Sequence, residues 1–126
     1  MTGEDYPRFV LDEHFAHYHH FDFRIKKEGV LKSWAVPKGL PEKSGERRLA
    51  IEVEDHPIEY IGFKGTLPES EYGAGEVKIR DTGTYKRLLW GSDRIEVILH
   101  GTDFSGKYVR FKKAGDKEWI VLKAKA

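Results

Sequence analysis

Cysteine is absent from this 126-residue sequence, and so are long apolar runs and any strong excess of one charge. Without cysteine, disulfides and thiolate metal sites are excluded, so a bound metal would need histidine and carboxylate ligands. No apolar run approaches the roughly eighteen residues of a membrane span, and the N-terminus does not resemble a secretion signal. We therefore expect a soluble, cytoplasmic protein that does not enter a membrane.

The near balance of charges limits the kinds of partner. There are 22 basic and 21 acidic side chains, so the formal net charge is only +1. No global field attracts a polyanion, and any contact with nucleic acid must be local. The length fits one domain over residues 1–126, with residues 1–8 as a flexible tail, and we expect a monomer.

Sustained helical periodicity is also missing, and short β-runs separated by turns take its place. A turn at Glu28-Gly29 predicts a hairpin, whereas Gly73-Ala74-Gly75 predicts a turn and not a phosphate loop, because the third glycine is missing. Many short strands favour an all-β barrel or sandwich, with at most one or two short helices near residues 12–19 or 68–72. After residue 19 we predict strands at 20–25, 30–36, 47–57, 60–63, 76–80, 84–89, 94–100, 107–112 and 118–123.

Four of the six histidines lie between residues 14 and 20, just ahead of an aspartate and an arginine. In a strand that begins at His20, the side chains of His20, Asp22 and Arg24 share one face, and the apolar residues between them share the other. Imidazoles and a carboxylate suit a divalent transition metal, and a guanidinium nearby suits an anion such as phosphate. A half-solvated sheet with no ligand produces the same alternation, so both interpretations stay open at this point.

A second alternating run spans residues 47–57. Its apolar positions, 49, 51 and 53, fall on one face, while Arg48, Glu54 and His56 fall on the other. Pro57 cannot donate a backbone hydrogen bond, so the strand should end there. If the two strands are neighbours, we expect these three side chains to join the surface of Arg24.

Several segments, in their order along the chain, resemble a known family. They are His14-x5-His20-x-Asp22-x-Arg24, the run GVLKSWAVPKG at 29–39, RLA at 48–50, EDHP at 54–57 and YGAG at 72–75. Together they resemble the 3′-phosphoesterase module of the bacterial DNA ligase D repair proteins, which also occurs as a stand-alone protein. The resemblance runs from about Phe9 to the closing WIVLK segment. It implies a small closed or partly closed antiparallel β-barrel.

The resemblance also implies an activity and a set of site residues. The activity is a manganese-dependent phosphoesterase that removes 3′-terminal ribonucleotides and 3′-phosphates from nucleic acid and leaves a 3′-hydroxyl for repair by non-homologous end joining. Its partners would be nucleic-acid 3′ ends and a DNA ligase or polymerase. The implied metal ligands are His14, His20 and Asp22, and the implied catalytic residues are Arg24, Arg48, Glu54, His56 and Tyr60, while His17 and His19 are left out.

For this activity the residue types suggest roles. Arginine side chains at positions 24 and 48 offer paired donors that match phosphate oxygens. His56, with an ordinary pKa near 6.5, could stabilise the transition state or protonate the leaving oxygen. Glu54 could orient an arginine or a ligand histidine.

The same residues are also compatible with two other classes of protein. His20 and Asp22 with His100 form the two-histidine, one-carboxylate pattern of non-haem iron oxygenases, and Arg110 would suit a carboxylate cosubstrate. A non-catalytic β-barrel that binds single-stranded nucleic acid is the second alternative. The bases of the nucleic acid would stack on Tyr18, Trp34, Tyr60 or Tyr72.

Overall fold

The computed structural model describes residues 7–15, 19–57, 65–67, 75–112 and 117–124, and gives residues 65–67 and 75 as backbone alone. Every strand pairing is antiparallel, and the described residues contain no helix. The strands are β1 (Arg8–Phe15), β2 (His19–Lys27), β3 (Val30–Val36), β4 (Arg47–Pro57), β5 (Gly65–Leu67), β6 (Gly75–Trp90), β7 (Arg94–His100), β8 (Ser105–Lys112) and β9 (Glu118–Lys123).

Eight of these strands close into a barrel. The sheet order is β1-β2-β3-β4-β9-β8-β7-β6, and β1 also pairs with β6, so the first strand closes the ring. Strand β5 pairs with the first three residues of β6. An eight-stranded barrel has an interior just wide enough for side chains to fill, and closure satisfies the backbone groups that an edge strand would expose. The predicted all-β barrel is confirmed.

The barrel interior is packed with aromatic and branched side chains. Trp34 lies at its centre, with ring centroids 6.3 Å from Trp119 and 6.4 Å from Trp90. Alternate residues of each strand point inward, as the period of two requires. A charged residue, Arg110, is also fully enclosed there. The buried apolar core is formed by Phe9, Leu11, Phe23, Ile25, Trp34, Val36, Leu40, Ala50, Tyr85, Ile95, Val97, Leu99, Phe104, Tyr108, Trp119 and Val121.

The hairpin between β2 and β3 turns at Glu28-Gly29, as the sequence predicts. Both residues have positive φ, 52° for Glu28 and 85° for Gly29. Two such residues in succession give a turn whose twist matches the strands it joins, and glycine adopts this conformation without steric cost. The turn fixes the register that sets Arg24 opposite Ser33.

The described part of the segment 12–19, where at most a short helix was expected, contains no helix. Residues 8–15 form β1, which pairs with β2 on one side and β6 on the other. Ladder hydrogen bonds on both edges outweigh the local preference of Glu13 for helix. The other proposed helix, at 68–72, and the proposed strand at 60–63 lie outside the described residues.

The prediction of two strands at 76–80 and 84–89 with a turn between them is wrong. One strand, β6, runs from Gly75 to Trp90. The glycine at position 83 suggested a turn, but a side chain there would collide with the backbone carbonyl of His100. The residue therefore permits a close approach of two strands. The predicted bounds of β3, β4, β7 and β9 agree with the structure.

Candidate metal and phosphate site

Two strands bring candidate metal-binding side chains together on the outward-facing side of the barrel wall, where most of them are buried. In the register of β1 with β2, Asp12 lies opposite Asp22, and His14 lies opposite His20. Residues directly opposite each other share a face, with Cβ atoms about 5 Å apart. The neighbours Leu11 and Phe23 point into the core, so this face is the outer one. The register of two consecutive strands thus brings two imidazoles and two carboxylates together.

His14, His20 and Asp22 form a compact cluster. The Nδ1 atom of His14 lies 3.6 Å from Oδ2 of Asp22, and Nε2 of His20 lies 3.4 Å from Oδ1 of the same carboxylate. One ligand atom from each residue falls within 4.8 Å of the others. Ligands about 2.1 Å from one ion stand roughly 3 to 3.5 Å apart, so the two nitrogen–oxygen distances suit a shared cation.

The burial and charge of the cluster also fit a metal. His14 is buried, and its Nε2 atom has no hydrogen-bond partner in the described structure. Burial opposes the ionisation of Asp22, but the hydrogen bond from His20 and the charge of Arg24 outweigh it and hold the pKa of Asp22 below its ordinary value. A carboxylate that stays ionised beside two imidazoles is a donor set for a divalent transition metal.

Arg24 lies beside this cluster and is held by a second carboxylate. Its Nη1 donates to Oδ2 of Asp12 at 3.0 Å, while its Nη2 lies 3.8 Å from Oδ2 of Asp22. The guanidinium is thus placed next to the proposed ligands, as an anion bound there would require. Asp12 is completely buried, and burial raises its pKa to about 7, with the charge of Asp22 adding to the rise and that of Arg24 opposing it.

His56 reaches the same outer face through a β-bulge. In the β3–β4 pairing, Ser33 lies opposite Val53, but Leu31 lies opposite His56, so β4 carries one extra residue. The Nδ1 atom of His56 lies 3.2 Å from Oγ of Ser33, which is the neighbour of Arg24 across the β2–β3 ladder. Burial and the charge of Arg24 lower the pKa of His56, which is therefore neutral at pH 7.

Strand β3 lies between β2 and β4, so the two strands are not the neighbours that the expectation required, and the same bulge puts Arg48 and His56 on opposite faces of β4. Arg48 lies opposite Val121, which points into the core, and therefore faces the interior side of the barrel wall. The alternation rule assigned both residues to one face, but the extra residue reverses the alternation between them. Arg48 instead lines a cleft of about 220 Å3 beside Phe21, and its Nη2 lies 3.2 Å from Oε2 of Glu46.

The remaining predicted site residues divide into two groups. Glu54 is on the bulged part of β4 with an exposed side chain, and its backbone forms a hydrogen bond with His56. Tyr60 and His17 lie outside the described residues. Reasoning from the sequence missed Asp12 and Ser33. Asp12 stands two residues before His14, so the prediction of a strand at 8–15 would have put both side chains on the same face.

The structure separates the residues that the iron-oxygenase alternative requires. His100 lies on β7, two strands from β1, and is not part of the cluster that includes His20 and Asp22. Arg110 is enclosed in the core and cannot bind a cosubstrate from solvent. Trp34 is also buried and offers no surface for a base. The other proposed stacking residues, Tyr18, Tyr60 and Tyr72, lie outside the described residues.

A closed β-barrel with a cluster of two histidines and one aspartate beside a buried arginine defines a class of protein, a barrel with a candidate metal and anion site on its outer wall. The family model of the DNA ligase D 3′-phosphoesterase domain matches residues 12–112. The chain belongs to this family, as its motifs predicted.

Similar proteins cover almost all of the chain. It is 46% identical over 129 residues to the multifunctional non-homologous end joining DNA repair protein LigD of Mycobacterium tuberculosis, with 99% of this chain aligned. It is 38% identical over 126 residues to the multifunctional non-homologous end joining protein LigD of Pseudomonas aeruginosa, with 94% aligned. These alignments cover only 17% and 15% of the two relatives. The chain therefore corresponds to one part of much longer proteins.

Within the described residues, no helix has the length and apolarity needed to cross a membrane.

Proposed function

We propose that this protein is a manganese-dependent phosphoesterase that processes the 3′ ends of nucleic acid during non-homologous end joining. It would remove 3′-terminal ribonucleotides and 3′-phosphates and leave a 3′-hydroxyl. The observation that carries the proposal is the placement of Arg24 within 3.8 Å of Asp22, the residue on which the two histidines of the cluster converge. Family membership supplies the phosphoesterase class, and the relatives' names supply the repair context.

The proposed metal residues are His14, His20 and Asp22. A metal held there would act as a Lewis acid on a phosphate oxygen and supply a nucleophilic water near neutral pH. Asp22 contributes the negative charge that favours a cation over an anion at this point, and its lowered pKa keeps that charge at neutral pH. Other divalent transition metals share the preference for imidazole and carboxylate ligands.

Arg24 and His56 are the proposed phosphate residues. A 3′-terminal phosphate carries about two negative charges, which a guanidinium can neutralise through paired hydrogen bonds. His56 is neutral before substrate binds, because burial and the charge of Arg24 disfavour its protonated form. A phosphate dianion beside it would oppose that effect, so substrate favours the protonated imidazole that can donate to the leaving oxygen. We also propose roles around this site for Glu54 and Tyr60, on the basis of the family resemblance.

The metal assignment is tested by titrating manganese into the wild type and into Asp22→Ala by calorimetry. Removal of the only carboxylate in the donor set should weaken manganese binding at least about a hundredfold, by the usual strength of a charged ligand. The same variant should lose release of phosphate and of a terminal ribonucleotide from a labelled primer-template. His100→Ala is the matched control, because His100 is exposed and outside the cluster. Tight binding by Asp22→Ala would contradict the assignment.

The phosphate assignment is tested separately with His56→Ala. We expect manganese binding within twofold of the wild type and a loss of turnover of about 100-fold or more, the usual contribution of a general acid. Full activity would make His56 a strand-end residue without a catalytic role. Measurement of the 3′ terminus formed, with and without manganese, distinguishes hydrolysis from simple binding of nucleic acid.

A further inference from the structure

Three aromatic rings form a row where the β1–β2 ladder ends. The rings of Phe15 and His19 are stacked, with centroids 4.9 Å apart and planes 14° from parallel. His19 then contacts Phe21, with a centroid distance of 5.4 Å. Phe15 is 41% exposed, and the side chain of His19 is 51% exposed. A flat pair of rings therefore faces solvent.

The row adjoins the proposed metal site. Phe15 pairs with His19 in the position immediately after the pairing of His14 with His20. Successive residues of a strand are about 3.3 Å apart and point to opposite faces. The exposed stack thus lies one residue pair from the cluster, around the end of the two-stranded ladder. The distance from the cluster to the stack is therefore shorter than a few nucleotides span.

Positive side chains flank the row at both ends. The ammonium group of Lys78 lies 5.6 Å from the centroid of the Phe15 ring. At the other end, Phe21 forms one wall of the 220 Å3 cleft. The charged residues that line the cleft are three cations and one anion: Lys38, Arg48, Arg80 and Glu42. Arg48 is paired with Glu46 and Arg80 with Asp103, whereas Lys38 is exposed to solvent and suits contact with a phosphodiester.

Exposure alone would not distinguish Phe15, because single exposed apolar residues are common. Leu88 and Leu89 have similar exposures of 43% and 45%. Aliphatic side chains have no flat π face, whereas the Phe15–His19 pair is ordered as a stack and Glu13 fixes the imidazole, with its Oε2 2.7 Å from Nε2 of His19. Stacked aromatic surfaces beside basic grooves are how proteins hold single-stranded nucleic acid without reading its sequence.

We propose that the Phe15–His19 stack is a platform for a base of the nucleic-acid strand whose 3′ end lies at the metal site, with the backbone of that strand running toward the cleft. The proposal rests on the proposed function for the identity of the ligand. It adds a substrate-binding surface separate from the metal and phosphate residues. Stacking on a π face is available to every base, so the platform would bind without strong sequence preference.

The test measures binding of a fluorescent single-stranded DNA with a 3′-hydroxyl by anisotropy in the presence of manganese. This oligonucleotide is the product of the proposed reaction, so no turnover occurs. Phe15→Ala should weaken binding about 5- to 100-fold, the range that removal of one stacked base corresponds to. The same measurement is repeated with oligonucleotides that carry one abasic residue at the first, second or third position from the 3′ end.

At one of these three positions, the loss of binding affinity caused by removing the base and that caused by removing the Phe15 ring should not be additive. There, the abasic residue should weaken binding to the wild type but have little further effect on Phe15→Ala. Leu89→Ala is the control for removing an equally exposed apolar side chain, and it should bind like the wild type. Additive effects at all three positions, or unchanged binding by a folded Phe15→Ala, would overturn the platform. Because the assay requires no hydrolysis, a failure of the proposed catalysis would appear separately, in the phosphate-release assay.

Discussion

At the scale of single residues, the site depends on how buried charges are arranged around Arg24. Asp12 and Asp22 lie on opposite strands, and the guanidinium contacts the first at 3.0 Å and the second at 3.8 Å. Burial raises the pKa of Asp12 to about 7, while the pKa of Asp22 is lowered. The two carboxylates therefore differ in their surroundings: Asp22 faces the histidines as the proposed metal ligand, and Asp12 holds the guanidinium of Arg24.

Removal of Asp12 should impair substrate binding more than metal binding. Asp12→Ala frees the Arg24 guanidinium, so we expect KM for a 3′-phosphorylated oligonucleotide to rise about tenfold or more, the usual effect of losing one charged hydrogen bond of 1.5–3 kcal/mol. Asp12→Asn keeps one acceptor oxygen for Arg24 and should restore part of the loss. Steady-state kinetics with parallel manganese titrations measure both effects. An unchanged KM in the folded alanine variant would leave Asp12 with a structural role only.

At the scale of elements, one carboxylate fixes the connection between β7 and β8. Asp81 of β6 is nearly buried and accepts four backbone N–H groups, from residues 82, 102, 103 and 104, at 2.8 to 3.0 Å. The loop at 101–104 cannot satisfy these donors within a strand ladder, so the carboxylate replaces the missing acceptors. Phe104, which this loop carries, is then held in the core and in the wall of the cleft.

Asp81→Asn should destabilise the fold by about 2–3 kcal/mol, because an amide nitrogen would then face backbone donors that have lost their acceptor. Urea denaturation followed by circular dichroism measures the difference. Asp93→Asn changes an exposed carboxylate in the β6–β7 connection and should alter the free energy of unfolding by less than about 0.5 kcal/mol. Equal effects of the two substitutions would show that the four hydrogen bonds contribute little.

At the scale of the whole molecule, the barrel encloses a cation. Arg110 is fully buried, with its guanidinium carbon 3.9 Å from the centroid of the Trp34 ring and 5.1 Å from that of Phe23. Its Nη atoms have no hydrogen-bond partner in the described structure. Burial lowers the pKa of Arg110 to about 9, so the charged form is disfavoured despite the two aromatic faces.

Arg110→Met should therefore stabilise the barrel by about 1 kcal/mol or more, because replacement of a buried charge by an apolar side chain of similar length removes its desolvation penalty. Arg87→Met, on the exposed surface of β6, should leave stability nearly unchanged and serves as the control. Chemical denaturation at pH 7 makes the comparison. A loss of stability in Arg110→Met would mean that the cation–π contacts, worth about 2 kcal/mol or more when desolvated, outweigh the desolvation penalty.

The sequence by itself determined the all-β class, the β2–β3 turn and the residue types of the candidate metal ligands, because period-two alternation and turn chemistry are local properties. It also predicted that His20, Asp22 and Arg24 share a face. Only the tertiary structure decided that β1 is a strand, which adds Asp12 to that face, and that a bulge separates Arg48 from His56. An extra residue in one strand is defined only by its pairing with the partner strand. The alternation of polar and apolar residues along a single segment does not reveal it.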